Sequence, residues 1–169
     1  CVILTDNKLK CWGHNHKGQL GVGDTTNKNS PTEISFTGRY AVDVACGNEH
    51  CCVVLDDGNV RCSGEGDHGR LGYGNTDDRN TYGPNIDLPT GKKAVKISCG
   101  YHNTYVTFSD GTATSWGDYN SWNLGYSSSG NVGDASGEMG DNLSLIAFSS
   151  TVSFIETFYD ARAAVLNDG

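Results

Sequence analysis

The sequence predicts an all-β chain built from repeated hairpin units. Three observations carry that reading. The 169 residues include 23 Gly, with 36% hydrophobic and 19% charged residues, a balance that favours short strands and many turns. Asp-Asn or Asp-Gly steps recur at Asp6-Asn7, Asp57-Gly58, Asp110-Gly111 and Asp168-Gly169, and Asn and Gly accept the left-handed conformation that a three-residue hairpin loop with a bulge requires. The flanking segments alternate or run apolar as buried strands do, without a sustained helical period.

Each element can be placed on this frame. Residues 2–13, VILTDNKLKCWG, form the first hairpin. Residues 53–64, VVLDDGNVRCSG, form the second, 106–117, VTFSDGTATSWG, the third, and 164–169, AVLNDG, begin a fourth. The spacing is roughly fifty residues, the range of repeat architectures. Gly18-Gln19-Leu20-Gly21 is matched by Gly69-Arg70-Leu71-Gly72 and Trp122-Asn123-Leu124-Gly125; Pro31 matches Pro84, and Cys46-Gly47 matches Cys99-Gly100. The third copy has Asn142 at the Pro position, Thr157-Phe158 at the Cys-Gly position, and an insertion. A short helix over 158–166 is an alternative, but the alignment of this segment with Val53–Leu55 favours a strand. The units read as 1–51, 52–104, 105–162 and 163–169. Segments 22–30, 73–82 and 126–141 follow the Leu-Gly turn in each copy and read as variable loops on one face. Residues 128–138 are expected to be dispensable for folding.

These motifs resemble the regulator of chromosome condensation repeat. The first copy carries the resemblance best, with Trp12, Gly13, Asn15, Gly18, Gln19, Leu20, Gly21, Pro31, Val44, Gly47 and His50 in phase. The resemblance implies β-propeller blades of four strands, commonly seven to a ring. About three copies and a stub fall short of such a ring. The chain opens inside an apolar run and ends on a hairpin tip, as a piece of a longer chain would. Closure by more of the same chain, or self-assembly through blade edges, is therefore expected. The resemblance also implies core packing for Trp12 and Trp116 and an interstrand structural role for His50.

Seven cysteines set a further expectation. With Leu4 opposite Lys8 around its tip, Cys1 faces Cys11; with Leu55 opposite Asn59, Cys52 faces Cys62. Directly opposed strand residues lie within disulfide range. The third copy has Tyr105 and Ser115 at these positions, so both partners disappear together. Cys46 and Cys51 flank a tight turn and form a third candidate pair, which leaves Cys99 as the odd thiol. No C-x-x-C pair is present, so tetrahedral zinc is poorly served. Disulfides indicate an oxidising compartment, and the hairpin cysteines resemble those of secreted or surface variants of the repeat.

No catalytic motif stands out: no G-x-S-x-G elbow, Walker loop or H-E-x-x-H occurs. His14, His16, His68 and His102 read as polar loop residues, and no catalytic group, cofactor or metal is assigned. Asp134, Glu138 and Asp141 are oxygen donors that calcium could use, with a solvated acidic loop as the default. Asn142-Leu143-Ser144 is a glycosylation sequon. Tyr119, Trp122 and Tyr126 are candidate exposed aromatics for partner or sugar binding. A net charge of −8, without a basic cluster, argues against nucleic acid, and no stretch is apolar enough for a membrane helix. The expectation is a non-enzymatic, extracellular or cell-surface module that binds protein, with glycans as further candidates. Alternatives are a secreted ligand- or inhibitor-type propeller and, disfavoured by the cysteines and acidic balance, a guanine-nucleotide exchange factor.

Overall fold

The computed structural model describes residues 1–120, 124–158 and 161–168. The expectations on Trp122 and on the Gly169 side of the fourth tip lie outside them. The chain is all-β and forms successive propeller blades. Strands β1 (Val2–Ile3), β2 (Leu9–Gly13) and β3 (Lys28–Ile34) make the first sheet, and β4 (Ala41–Cys46), β5 (His50–Leu55) and β6 (Val60–Gly64) the second. Strands β7 (Ala94–Cys99), β8 (Asn103–Phe108) and β9 (Ala113–Gly117) make the third, and β10 (Val152–Phe158) pairs with β11 (Ala161–Leu166). The segment weighed as a helix is thus extended over its described part, with Phe158 ending β10 and 161–166 forming β11. Strand β1 packs beside β4, β4 beside β7, and β7 beside β10.

The hairpin tips are built alike. Leu4 N–H donates to Lys8 O (2.9 Å), Leu55 N–H to Asn59 O (2.8 Å) and Phe108 N–H to Thr112 O (2.8 Å). Asn7, Gly58 and Gly111 take positive φ of 64°, 85° and 78°, where an Asn or Gly costs least. Asp6, Asp57 and Asp110 each accept from the backbone N–H two residues on, the Asx-turn that makes Asp useful there. Strands β4, β7 and β10 share another device, a register shift between Ala41 and Asp43, Ala94 and Lys96, and Val152 and Phe154. The bulged Val42 and Val95 are consequently exposed.

Strand β5 is buried along its whole length, and its alternate residues feed two cores. Val53 and Leu55 pack with Leu9, Cys11, Leu20, Ile34 and Ala41 toward the first blade. Cys52 and Val54 pack with Leu71, Ile97, Val106, Phe108 and Trp116 toward the third. Burial on both faces explains why His50–Leu55 lacks polar alternation.

The segments after the Leu-Gly turns are less free than the sequence suggested. Residues 28–34 form β3 itself. Gly64 and Arg79 exchange hydrogen bonds of 2.7 and 2.8 Å as an isolated bridge, and Ile86 N–H reaches Val60 O, so 79–86 is tied along the edge of β6. In the third blade, Val132 exchanges bonds with Gly117, and Ile146 N–H donates to Ala113 O. Residues 128–138 include this pairing, so their deletion would remove part of the blade; the expectation that they are dispensable is corrected.

Two aromatic expectations change as well. Trp116 is buried, seated against Gly72, with its indole N–H donated to Arg70 O at 3.0 Å. Trp12, at the same repeat position, is 45% exposed, in contrast to the expected core packing. Tyr126 is half-buried and its hydroxyl donates to Ser115 O at 2.6 Å. Tyr73 makes the matching bond to Cys62 O at 3.0 Å, so the Tyr126 hydroxyl serves as a blade anchor.

Disulfides join Cys1 to Cys11, Cys52 to Cys62 and Cys46 to Cys51, with Cα separations of 4.1, 4.1 and 4.0 Å. At the Cys52 and Cys62 positions of the third blade, Tyr105 faces Ser115, and the Tyr105 hydroxyl takes the Arg162 Nε–H at 2.6 Å. Cys99 is a buried free thiol donating to Ala45 O, and burial pushes its pKa up to about 12. Replacing Cys52 and Cys62 together by Ala is expected to cost about 3 kcal/mol through the lost chain restriction. Denaturant unfolding of the oxidised protein measures this; an unchanged midpoint contradicts it.

Candidate functional site

The loops that follow β2, β6 and β9 gather with the β4–β5 and β7–β8 turns at one end of the blades. Backbone bonds fix this meeting: Glu65 N–H donates to Glu49 O (2.8 Å), and Asp118 N–H to His102 O (3.1 Å). Gly18 and Gly69, both at positive φ, let their turns approach Asn80 and Asp134 of the next unit more closely than a side chain allows.

The charges on this end repeat from blade to blade. Lys17 Nζ lies 2.8 Å from Glu65 Oε1 and 3.4 Å from Asp78 Oδ2. The corresponding pair one unit on is His68 and Asp118, at 4.0 Å. Arg70, 1% exposed, holds Glu65 Oε2 at 2.6 Å and donates Nε–H to Asp67 O. Burial works to raise the Glu65 pKa, but the Lys17 hydrogen bond and the Arg70 charge prevail and hold it below the ordinary range. The Glu65 bond in turn keeps Lys17 firmly protonated. Two imidazole pairs flank this centre. His14 stacks on His16 at 4.2 Å beside Glu49, and His68 stacks on His102 at 5.0 Å beside Asp118. Burial, with Arg70 and His68 nearby, lowers the His102 pKa against the pull of Asp118. The arrangement is a rigid end of alternating sign, suited to a polar partner surface.

The predicted residues fall as follows. His50 is fully buried, with Nε2 3.0 Å from Thr104 Oγ1, a structural bridge between blades. Its counterpart Asn103 donates to Asp118 O at 2.6 Å. Asn142 is exposed in the sequon, with Nδ2 on Gly137 O. Tyr119 is half-buried in the loop after β9, its N–H on Asn131 Oδ1. The calcium alternative is corrected. Glu138 Oε2 accepts the N–H groups of Gly133, Asp134 and Ala135, closing its own loop, while Asp141 binds Thr90. Glu138 and Asp141 are thus committed separately, and with Asp134 they form no ligand cluster among the described residues. Sequence reasoning passed over Lys17, Glu65 and Arg70. Their signal was the repeat register, which puts a basic or His residue four positions after one Gly and an acid directly after the next.

With fold and site described, the family follows. The chain belongs to the regulator of chromosome condensation (RCC1) repeat family, whose repeat model matches residues 6–54 and 57–106. It is 35% identical over 130 residues to a Protein RCC2 homolog of Danio rerio, covering 76% of this chain and 26% of that one. It is 32% identical over 132 residues to the X-linked retinitis pigmentosa GTPase regulator of Homo sapiens, covering 78% and 13%. The solved structure of Prp20p from Saccharomyces cerevisiae superposes with a TM-score of 0.73 at 19% identity, covering 96% of this chain and 40% of that one. The chain therefore spans well under half the length of each.

His50 yields a pH prediction. Burial lowers its pKa from 6.5 to about 3, with Arg70 and His102 contributing. The folded value lies below the unfolded one, so its stabilisation is present above pH 6.5 and declines as pH falls toward 3. Stability should drop by up to about 1.4 kcal/mol per pH unit from this group. His50→Asn, the residue the third blade uses, should flatten the decline between pH 6.5 and 4.5. Denaturant midpoints across that range decide; parallel curves for both proteins contradict the assignment.

Proposed function

We propose that this chain is a non-enzymatic, protein-binding propeller segment of an extracellular or cell-surface protein. The charged loop end carries the binding part: Lys17, Glu49, Glu65 and Asp118 sit on elements fixed by blade stacking, with the buried Arg70 holding Glu65 in place, and such preorganised charge favours a complementary protein surface. Three disulfides support the oxidising compartment. The exposed Asn142 sequon fits glycosylation there, and the blade edges are the candidate self-assembly surface. The test is thiol alkylation of the protein taken from its own cells, before and after reduction. Cys1, Cys11, Cys46, Cys51, Cys52 and Cys62 are expected to label only after reduction. Labelling of Cys11 and Cys62 without reductant contradicts the compartment.

A second reading is regulation of a small GTPase. It is favoured by the human relative named a GTPase regulator and by Prp20p, described with its binding properties to Gsp1p and histones. Release of labelled GDP from Gsp1p separates the two. The first reading expects no acceleration by this chain, and acceleration supports the second.

A further inference from the structure

We propose that His14, His16 and Glu49 form a binding site for a borderline divalent cation of the zinc class. The ligand atoms of all three residues lie within 4.8 Å of one another. His16 Nδ1 is 3.5 Å from Glu49 Oε2, and the imidazoles stack at 4.2 Å with an interplanar angle of 22°. Zinc bonds to His nitrogen and carboxylate oxygen at about 2.0–2.2 Å, which sets ligand atoms roughly 3.3 Å apart in a tetrahedron. Both rings are exposed, so small side-chain rotations close the difference without moving the backbone.

The backbone beneath these groups is already fixed. Asn15, between the two histidines, is fully buried. Its side chain donates to Asp24 O and Thr26 O and accepts the Leu20 N–H, while its own N–H is held by Asn27 Oδ1. Glu49 sits in the turn closed by Gly47 N–H on His50 O and by the Cys46–Cys51 disulfide, and its carbonyl receives Glu65 N–H. Its carboxylate is oriented by Gln19 Nε2 at 2.6 Å, and Gln19 is held in turn by Lys17 N–H at 3.0 Å. Such outer hydrogen bonding of a ligating carboxylate is the usual support of a metal site. The Lys17 ammonium is engaged by Glu65 and Asp78, so the Glu49 carboxylate beside the two imidazoles favours a cation. Imidazole with carboxylate selects zinc, copper or nickel over calcium or magnesium. Three protein ligands leave a coordination position for water or a group from a partner. This proposal is independent of the compartment proposed above.

The His68, His102 and Asp118 set provides an internal comparison. Its Asp118 Oδ1 also accepts from Asn120 N–H and Nδ2, and His68 Nδ1 lies 3.4 Å from Asn131 Nδ2. Its groups are partly committed. The test is calorimetric titration of the oxidised 169-residue chain with zinc chloride, alongside NMR of the imidazole signals. One equivalent should bind, with the His14 and His16 signals shifting first. His14→Ala/His16→Ala and Glu49→Gln should each weaken binding by about tenfold or more, while His68→Ala/His102→Ala leaves it unchanged. Near-UV circular dichroism checks that the exposed-site variants remain folded. Absence of binding, unmoved His14 and His16 signals, or equal affinity in the His14→Ala/His16→Ala variant would each overturn the proposal.

Discussion

Everything in this structure depends on one constraint: a blade is completed by its neighbours. Strand β5 sends Val53 and Leu55 to one core and Cys52 and Val54 to another. Neither set is covered within its own sheet. The Leu-Gly turn makes the coupling specific, because Gly72 receives the Trp116 indole and Arg70 O accepts its N–H. The same Arg70 O also accepts the Thr104 hydroxyl at 2.8 Å. One carbonyl of the second blade therefore satisfies two buried donors of the third. Buried donors left unpaired would cost about 1–3 kcal/mol each, so this contact fixes both spacing and orientation.

The charged end is a consequence of that stacking. Glu65 belongs to the loop after β6, yet it receives Lys17 from the first repeat and Arg70 from its own. The pair with Lys17 forms only when the first and second blades are in register. Half-exposed pairs of this kind add little stability. They give the end a fixed pattern of sign, which serves recognition more than folding.

Much of this was legible in the sequence. The Asp-Asn and Asp-Gly steps set the tips, and the tips set the register that faces Cys52 with Cys62. The outer edges of the blades were hidden, because 79–86 and the stretches around Val132 and Leu145 pair through isolated bridges rather than continuous strands. The anchoring bond of Tyr126 was passed over, although Tyr73 at the matching position after Leu-Gly pointed to it. Trp12 shares the repeat position of the buried Trp116, yet it is exposed here, which the position in the repeat does not show. The approach of Glu49 to His14 and His16 was not legible at all. It brings a loop of the first sheet to the β4–β5 turn of the second, and only the packing of blades sets that distance.

Blade coupling through the Leu-Gly turn is tested most directly by comparing Gly72→Ala with Gly91→Ala. Both glycines have positive φ, +73° and +78°, so both substitutions carry a similar backbone cost of about 1–2 kcal/mol. A Cβ on Gly91 meets nothing within 4 Å, whereas one on Gly72 runs into the Trp116 indole at 2.8 Å. Denaturant unfolding followed by Trp116 fluorescence reads the difference. The account predicts that Gly72→Ala is the less stable by a further 1–3 kcal/mol or so, the usual cost of overpacking, with a red-shifted native emission. Equal losses and an unshifted emission would show that the turn does not hold the blades together.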